Sequence, residues 1–224
     1  MAPGRIHLVR HGEVHNPDGI LYGRLPGFRL SDRGRTMART TARALVADGR
    51  PIAALYASPL QRAQESAAPL VELTGLPLIV DDRLVEAGNV YEGTRRTPGP
   101  HLLAHPSEWR HIANPFRPSW GEPYRDIAAR MLAAMAAAWR AEASREQTTD
   151  APGGDIVMVT HQSPIWLAHR SVAGEPLFHN PAHRRCALSS VTSFEYDPGS
   201  RRFTEVDYRE PAAGVAGVID QGAV

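Results

Sequence analysis

The chain has 224 residues, enough for one domain with a substantial core. Its formal net charge of +1 provides no field that would draw it to nucleic acid or to a membrane surface, and no uncharged apolar stretch approaches the length of a membrane span. All 25 basic residues are arginine, so any phosphate bound here is held by guanidinium or imidazole groups rather than by a lysine point charge; the single cysteine, Cys186, excludes an internal disulfide.

Strand and helix patterns alternate along the chain. Residues 5–10 read as a strand, and Leu25 to Leu30 as a Pro/Gly-containing loop. Ser31 is a suitable N-cap for a helix running to about Asp48, with Gly49 at its end and Met37, Ala38, Thr41, Ala42, Leu45 and Val46 at helical spacing. Ile52 to Tyr56 reads as a second strand. Ser58-Pro59 has the form of an N-cap followed by proline at the first helical position, opening a helix that stops at Gly75. Leu78 to Val80 is a short third strand. Residues 87–121 read as a long excursion with little regular structure and a short helix around Trp109; loops of this length in a compact domain are often functional lids. A long Ala-rich helix spans Glu122 to about Arg145, and Asp155 to Thr160 is a strand. Ser163-Pro164 repeats the cap-and-proline form before a helix to about Val172. Val191 to Tyr196 and Phe203 to Val206 close the pattern, and the Gly/Ala-rich tail from Pro211 reads as disordered. The expectation is a single domain over 1–210, a tail over 211–224, and a largely parallel sheet covered by helices on both faces. With no signal-peptide pattern before the first strand, a cytoplasmic location is expected.

Four strand ends carry polar groups. Arg10-His11-Gly12-Glu13 follows the first strand, and Ser58-Pro59 with Arg62 follows the second. Glu86 follows the third, and His161 follows the strand 155–160. In open α/β sheets ligands bind outside the carboxyl ends of strands, and helix N-termini there favour anions. Two arginines, two histidines and one glutamate on that edge suit phosphoryl chemistry. Guanidinium forks match phosphoryl oxygens, an unprotonated imidazole can attack phosphorus, and a carboxyl group can protonate the leaving oxygen.

The segments Leu8-Val9-Arg10-His11-Gly12-Glu13, Leu30-Ser31-Asp32-Arg33-Gly34, Ser58-Pro59-Leu60-Gln61-Arg62-Ala63, Leu84-Val85-Glu86 with Glu92-Gly93, and Val159-Thr160-His161 together resemble the histidine phosphatase superfamily, also called phosphoglycerate mutase-like, over roughly residues 5–196. The resemblance implies a three-layer α/β/α fold, His11 as phosphorylated nucleophile, and Arg10, Arg62 and His161 as phosphoryl ligands. It implies Glu86 as proton donor and then base, with no metal or other cofactor. It further suggests Asn16 as a phosphate-contacting asparagine, a backbone N–H from Gly23, and Gln162 as a contributor to substrate binding. The chain departs from the family pattern in places. Asn16 stands one residue closer to His11 than usual, Met37 replaces a common Gln, and Gln162-Ser163 replaces Gly-Gly. The segment 86–93 is one residue short and lacks Phe-Gly. These departures touch the rim of the site and bear on substrate identity.

The expected substrate is a small phosphorylated metabolite, the expected activity a phosphomonoesterase, and a homodimer is the commonest oligomer to anticipate. Two alternatives are a bisphosphoglycerate-dependent mutase and a phospho-ligand binding protein that kept the fold. A metal hydrolase is disfavoured: His7/His11, His101/His105 and His179/His183 are each four apart, but none sits in an uninterrupted helical context. No Gly-x-Ser-x-Gly elbow supports a serine hydrolase. Trp109, Trp120 and Tyr124 could cover a substrate or pack the loop onto the sheet, whereas Trp139 and Trp166 read as core.

Overall fold

The computed structural model of the chain describes residues 4–95, 121–149 and 153–220. Six strands form one sheet: β1 (Ile6–Arg10), β2 (Ile52–Ala57), β3 (Leu78–Val80), β4 (Asp155–Thr160), β5 (Val191–Asp197) and β6 (Arg202–Arg209), in the order β3-β2-β4-β1-β5-β6. β3, β2, β4 and β1 pair in parallel. β5 is antiparallel to both its neighbours, so β6 again points the way of β1.

The inner strands are buried on both sides, which is why they read as continuous apolar runs. On one face Ile6, Leu8, Ala54, Tyr56, Ile156, Met158 and Phe194 pack against α3 (Tyr124–Thr149) and α4 (Gln162–Val172) through Met131, Met135, Trp139 and Ile165. On the other, Val9, Leu55, Ala57, Val157, Val159 and Val191 meet α1 (Asp32–Ala47) and α2 (Gln61–Thr74) through Ala42, Leu45, Ala63, Ala67 and Leu70. The result is the expected three-layer α/β/α arrangement with a mostly parallel central sheet.

Ser31 caps α1 as its position suggests, its side chain accepting from the Gly34 N–H. The other two caps are not where the sequence pattern puts them. α2 opens only at Gln61, and α4 opens earlier, at Gln162 with His161 as N-cap. Ser58 and Ser163 are instead engaged with His161 and Arg184. Pro164 falls in the first turn of α4, where a missing N–H costs no intrahelical bond.

Residues 211–220 are a second correction, since they do not form a disordered tail. Ala212, Val215 and Val218 pack on Met37 of α1 and on Leu188, and the Ile219 N–H donates to Glu13 at 2.7 Å. Small apolar side chains at short intervals suffice to dock this segment, though their composition resembles that of a linker. The helix expected near Trp109, together with Trp109, Trp120, His101 and His105, lies outside the described residues, as do residues 221–224.

At the amino end of the sheet the buried Asp155 carboxylate accepts from His7 Nε2 (3.0 Å), Arg5 N–H (2.7 Å), and Arg50 Nε and Nη2 (2.7 and 2.8 Å). His7 Nδ1 pairs with Ser193 Oγ across the sheet. Burial opposes the charge on Asp155, but the hydrogen bonds from His7, Arg50 and Arg5 outweigh it and hold the carboxyl well below its ordinary range. A depressed carboxyl contributes stability that is present above its unfolded value, about pH 4, and is lost as pH falls through the folded value. Asp155→Asn is therefore expected to cost roughly 2–4 kcal/mol at neutral pH, measured by urea unfolding, and the gap to the parent protein should narrow below about pH 4. Equal midpoints at pH 7 would contradict this account of the network.

Candidate active site

β1 and β4 are adjacent and parallel, yet the helices that follow them cover opposite faces of the sheet: α1 follows β1 and α4 follows β4. Such a switch point opens a crevice at the carboxyl ends of its two strands. Arg10 pairs with Thr160 in the β1–β4 register, and the His11 N–H donates to the Thr160 carbonyl at 3.1 Å. The next residues, His11 and His161, thus stand side by side with ring centroids 5.1 Å apart. Arg10, His11 and His161 are 0% exposed and Arg62 is 1% exposed, so this cluster of nitrogen-bearing groups sits in a low-dielectric setting.

His11 has its protonation state set by its neighbours. Nδ1 lies 2.8 Å from the Gly12 carbonyl and can only donate there, which leaves Nε2 unprotonated, with its lone pair as an acceptor. Arg62 Nε donates toward that lone pair at 3.3 Å. Burial, then the positive charges of Arg62 and Arg10, push the His11 pKa well below the usual histidine value. His11 is a neutral imidazole with a fixed tautomer, as a nucleophile on phosphorus requires.

The partners of His11 are held from several directions. Arg62, in the first turn of α2, also donates through Nη2 to the Gly23 carbonyl at 2.6 Å and lies over the Tyr22 ring at 4.7 Å. Gly23 thus serves Arg62 through its carbonyl. Its φ of +36° and the Glu92 side chain against it favour a residue without Cβ. His161 Nε2 lies 2.7 Å from Ser58 Oγ, which itself accepts from the Leu60 N–H. The other ring nitrogen of His161, Nδ1, is buried and without a partner among the described residues. Burial, with Arg62 and His11 nearby, keeps His161 neutral as well.

Arg10 is fixed at its tip. Nη1 donates to the Cys186 carbonyl at 2.6 Å and to Asp220 Oδ2 at 2.7 Å, and Nη2 donates to Asp220 Oδ1 at 2.6 Å. Burial disfavours this cation, and the Asp220 carboxylate more than restores it, so its pKa stands above the ordinary arginine value.

Glu86 is 1% exposed and its Oε1 accepts from the Ala87 N–H at 2.8 Å. Its segment is tied to the end of β4 by Thr160 Oγ1, which donates to the Leu84 carbonyl at 2.6 Å. A clasp of three charged side chains holds it from outside. Arg130 of α3 donates to the carbonyls of Arg83, Val85 and Glu86, and Arg24 Nε donates to the Glu86 carbonyl at 2.7 Å. Glu122 bridges the two arginines. Arg130 and Glu122 carried no sequence signal beyond lying in a helix and at its start.

The rim residues divide. Gln162 and Ser163 open α4, whose first-turn N–H groups lack intrahelical partners and favour an anion, and both side chains accept from Arg184. Arg184, a cation within electrostatic reach of Glu86 and Arg10, was missed by sequence reasoning. Asn16 is engaged elsewhere: Oδ1 accepts from and Nδ2 donates to the Ile20 backbone, closing the 16–20 turn. Arg83 is bound to Asp81. Among the described residues no three His, Cys, Asp or Glu side chains converge as a metal-ligand set.

The chain is similar to known proteins in both sequence and structure. The family model for the histidine phosphatase superfamily, branch 1, matches residues 6–208. The chain is 48% identical over 209 residues to the uncharacterized protein Rv0525 of Mycobacterium tuberculosis, covering 93% of this chain and 97% of that one. It is 30% identical over 210 residues to the glucosyl-3-phosphoglycerate phosphatase of the same species, covering 89% and 90%. The structure of mycobacterial glucosyl-3-phosphoglycerate phosphatase Rv2419c with inorganic phosphate superimposes with a TM-score of 0.70 at 25% identity, over 94% of this chain and 99% of that one. Matched from β1 to β6, with paired histidines and arginines at its switch point, the chain belongs to the histidine phosphatase superfamily, branch 1.

Proposed function

We propose that the chain is a phosphomonoesterase working through a phosphohistidine on His11. The observation that carries this reading is the state of His11: neutral, buried, pinned at Nδ1 by the Gly12 carbonyl, with its unprotonated Nε2 accepting a long hydrogen bond from Arg62. Nε2 attacks phosphorus as the P–O ester bond breaks. Arg10, Arg62 and His161 take the charge on the equatorial oxygens. The Glu86 carboxyl passes its proton to the leaving oxygen. Its carboxylate then removes a proton from water, whose oxygen attacks the phosphohistidine and releases phosphate, leaving Glu86 protonated and His11 neutral. The expected substrate is a small phosphorylated metabolite. Because a relative is named for glucosyl-3-phosphoglycerate, that ester and 3-phosphoglycerate are the first compounds to test.

In the presence of chelator the protein should release phosphate from a panel of phosphomonoesters, and His11→Ala should lower kcat by about a thousandfold or more. Isomerisation of 3-phosphoglycerate primed by 2,3-bisphosphoglycerate, with little release, would make it a mutase instead. Neither activity from folded protein would favour the binding-protein reading.

The lowered His11 pKa sets a pH signature. The reactive neutral form exists above that pKa, so activity is lost as pH falls through it, below the ordinary histidine value near 6.5. The acid limb of kcat/KM, corrected for ionisation of the substrate phosphate, should lie below pH 6.5; a limb at or above that value would contradict a buried neutral nucleophile.

The clasp on Glu86 gives a third expectation. Glu86→Gln should lower kcat/KM, which reports the phosphorylation step, by about 10²–10⁴-fold on alkyl phosphates and far less on aryl phosphates, whose leaving groups need no proton. Arg130→Met should reproduce that preference in weaker form, with KM nearly unchanged. An equal loss on both substrate types would mean that Arg130 supports the fold rather than the acid.

A further inference from the structure

The C-terminal segment reaches the phosphate site from 210 residues away. A guanidinium carries five N–H donors in a fixed fork. In Arg10 both Nη1 hydrogens are taken, by the Cys186 carbonyl and Asp220 Oδ2, and one Nη2 hydrogen is taken by Asp220 Oδ1. The donors left over are Nε–H and the second Nη2–H, which lie on one edge of the fork and can take two oxygens of one phosphoryl group together. Nε is buried and has no hydrogen-bond partner among the described residues. Without Asp220, the Cys186 carbonyl would be the one hydrogen-bond partner left to the Arg10 guanidinium among the described residues.

The segment that delivers Asp220 is itself anchored. Ala212, Val215 and Val218 pack against Met37 and Leu188, and the Ile219 N–H donates to Glu13 Oε2 at 2.7 Å. Glu13 is 3% exposed, also accepts from Ser31 and Arg33, and stands three residues after Arg10. The segment therefore clamps the Arg10-His11-Gly12-Glu13 stretch at both ends.

We propose that Asp220 is a positioning residue of the phosphoryl site: it holds the Arg10 guanidinium by its tip so that the Nε/Nη2 edge is presented to the phosphoryl oxygens. The inference rests on the phosphoryl-binding reading of Arg10. Asp220 does not touch the reacting atoms. It acts by fixing a cation whose orientation determines phosphate affinity, and the C-terminal segment becomes a working part of the site.

The test is inorganic phosphate binding, by calorimetry and by competitive inhibition of aryl phosphate hydrolysis, in the full chain and in Asp220→Asn, Asp220→Ala and Arg10→Ala. Asp220→Asn preserves size and half of the acceptor capacity, and the Asp220 side chain is 43% exposed, so neither Asp220 variant threatens folding. The expected result is a weakening of phosphate binding and a rise in KM by about tenfold in Asp220→Ala. The Asn variant should fall between, with the thermal midpoint unchanged. Unchanged phosphate affinity in both variants would overturn the proposal, and tighter binding would overturn it by showing that the carboxylate competes with phosphate for Arg10. Should the parent protein bind phosphate no better than Arg10→Ala, the phosphoryl reading of the site fails, and the role proposed for Asp220 fails with it.

Discussion

The site depends on one constraint: two guanidinium groups and two imidazoles buried together at the ends of two adjacent parallel strands. Burying like-charged groups is costly unless each is compensated, and the surroundings divide that task. Both histidines are kept neutral, by burial and by the nearby arginines. Arg62 is compensated by the Gly23 carbonyl and the face of Tyr22, and Arg10 by the Cys186 carbonyl and the Asp220 carboxylate. What remains is a set of donors, with a lone pair on His11, that an anionic phosphoryl group would complete.

The rest of the fold serves to keep those groups still. The β1–β4 register sets the distance between the histidines, and hydrogen bonds from Thr160 and from the Arg130–Glu122–Arg24 clasp bring the Glu86 segment to the same edge. Glu13 joins the cap of α1, Arg33 and the C-terminal segment to the stretch that carries His11. At the far end of the same strands the Asp155 network fastens β4 to β1 through His7, and through Ser193 to β5. The three central strands are therefore cross-linked by polar groups at both ends, with an apolar core between.

Much of this was legible in the sequence, for physical reasons. β1 and β4 are buried on both faces and so appear as apolar runs, and the histidines follow them directly. The helix α1 declares itself by periodicity and α3 by its alanine-rich composition. The Ser-Pro pairs misled because Ser58 and Ser163 look like helix caps whatever their hydroxyls bind, and here they bind His161 and Arg184. Asn16 matched a motif one residue out of place, and its amide closes on the Ile20 backbone. Arg130 gave no signal because its bonds go to carbonyls, which every residue has. Asp220 gave none because its partner lies 210 positions earlier and its surroundings are Gly, Ala and Val, a composition shared by docked and undocked chain ends.

The central claim is that His11 becomes covalently phosphorylated, and the direct measurement is rapid quenching of the protein with an aryl phosphate, followed by mass spectrometry of its peptides under alkaline conditions that preserve phosphohistidine. The account predicts a phosphoryl group on the peptide containing His11, formed before phosphate appears in solution, acid-labile, and accumulating further in Glu86→Gln, where water is poorly activated. Turnover with no phosphorylated His11 at any time, or a phosphoryl group carried on another residue, would contradict it.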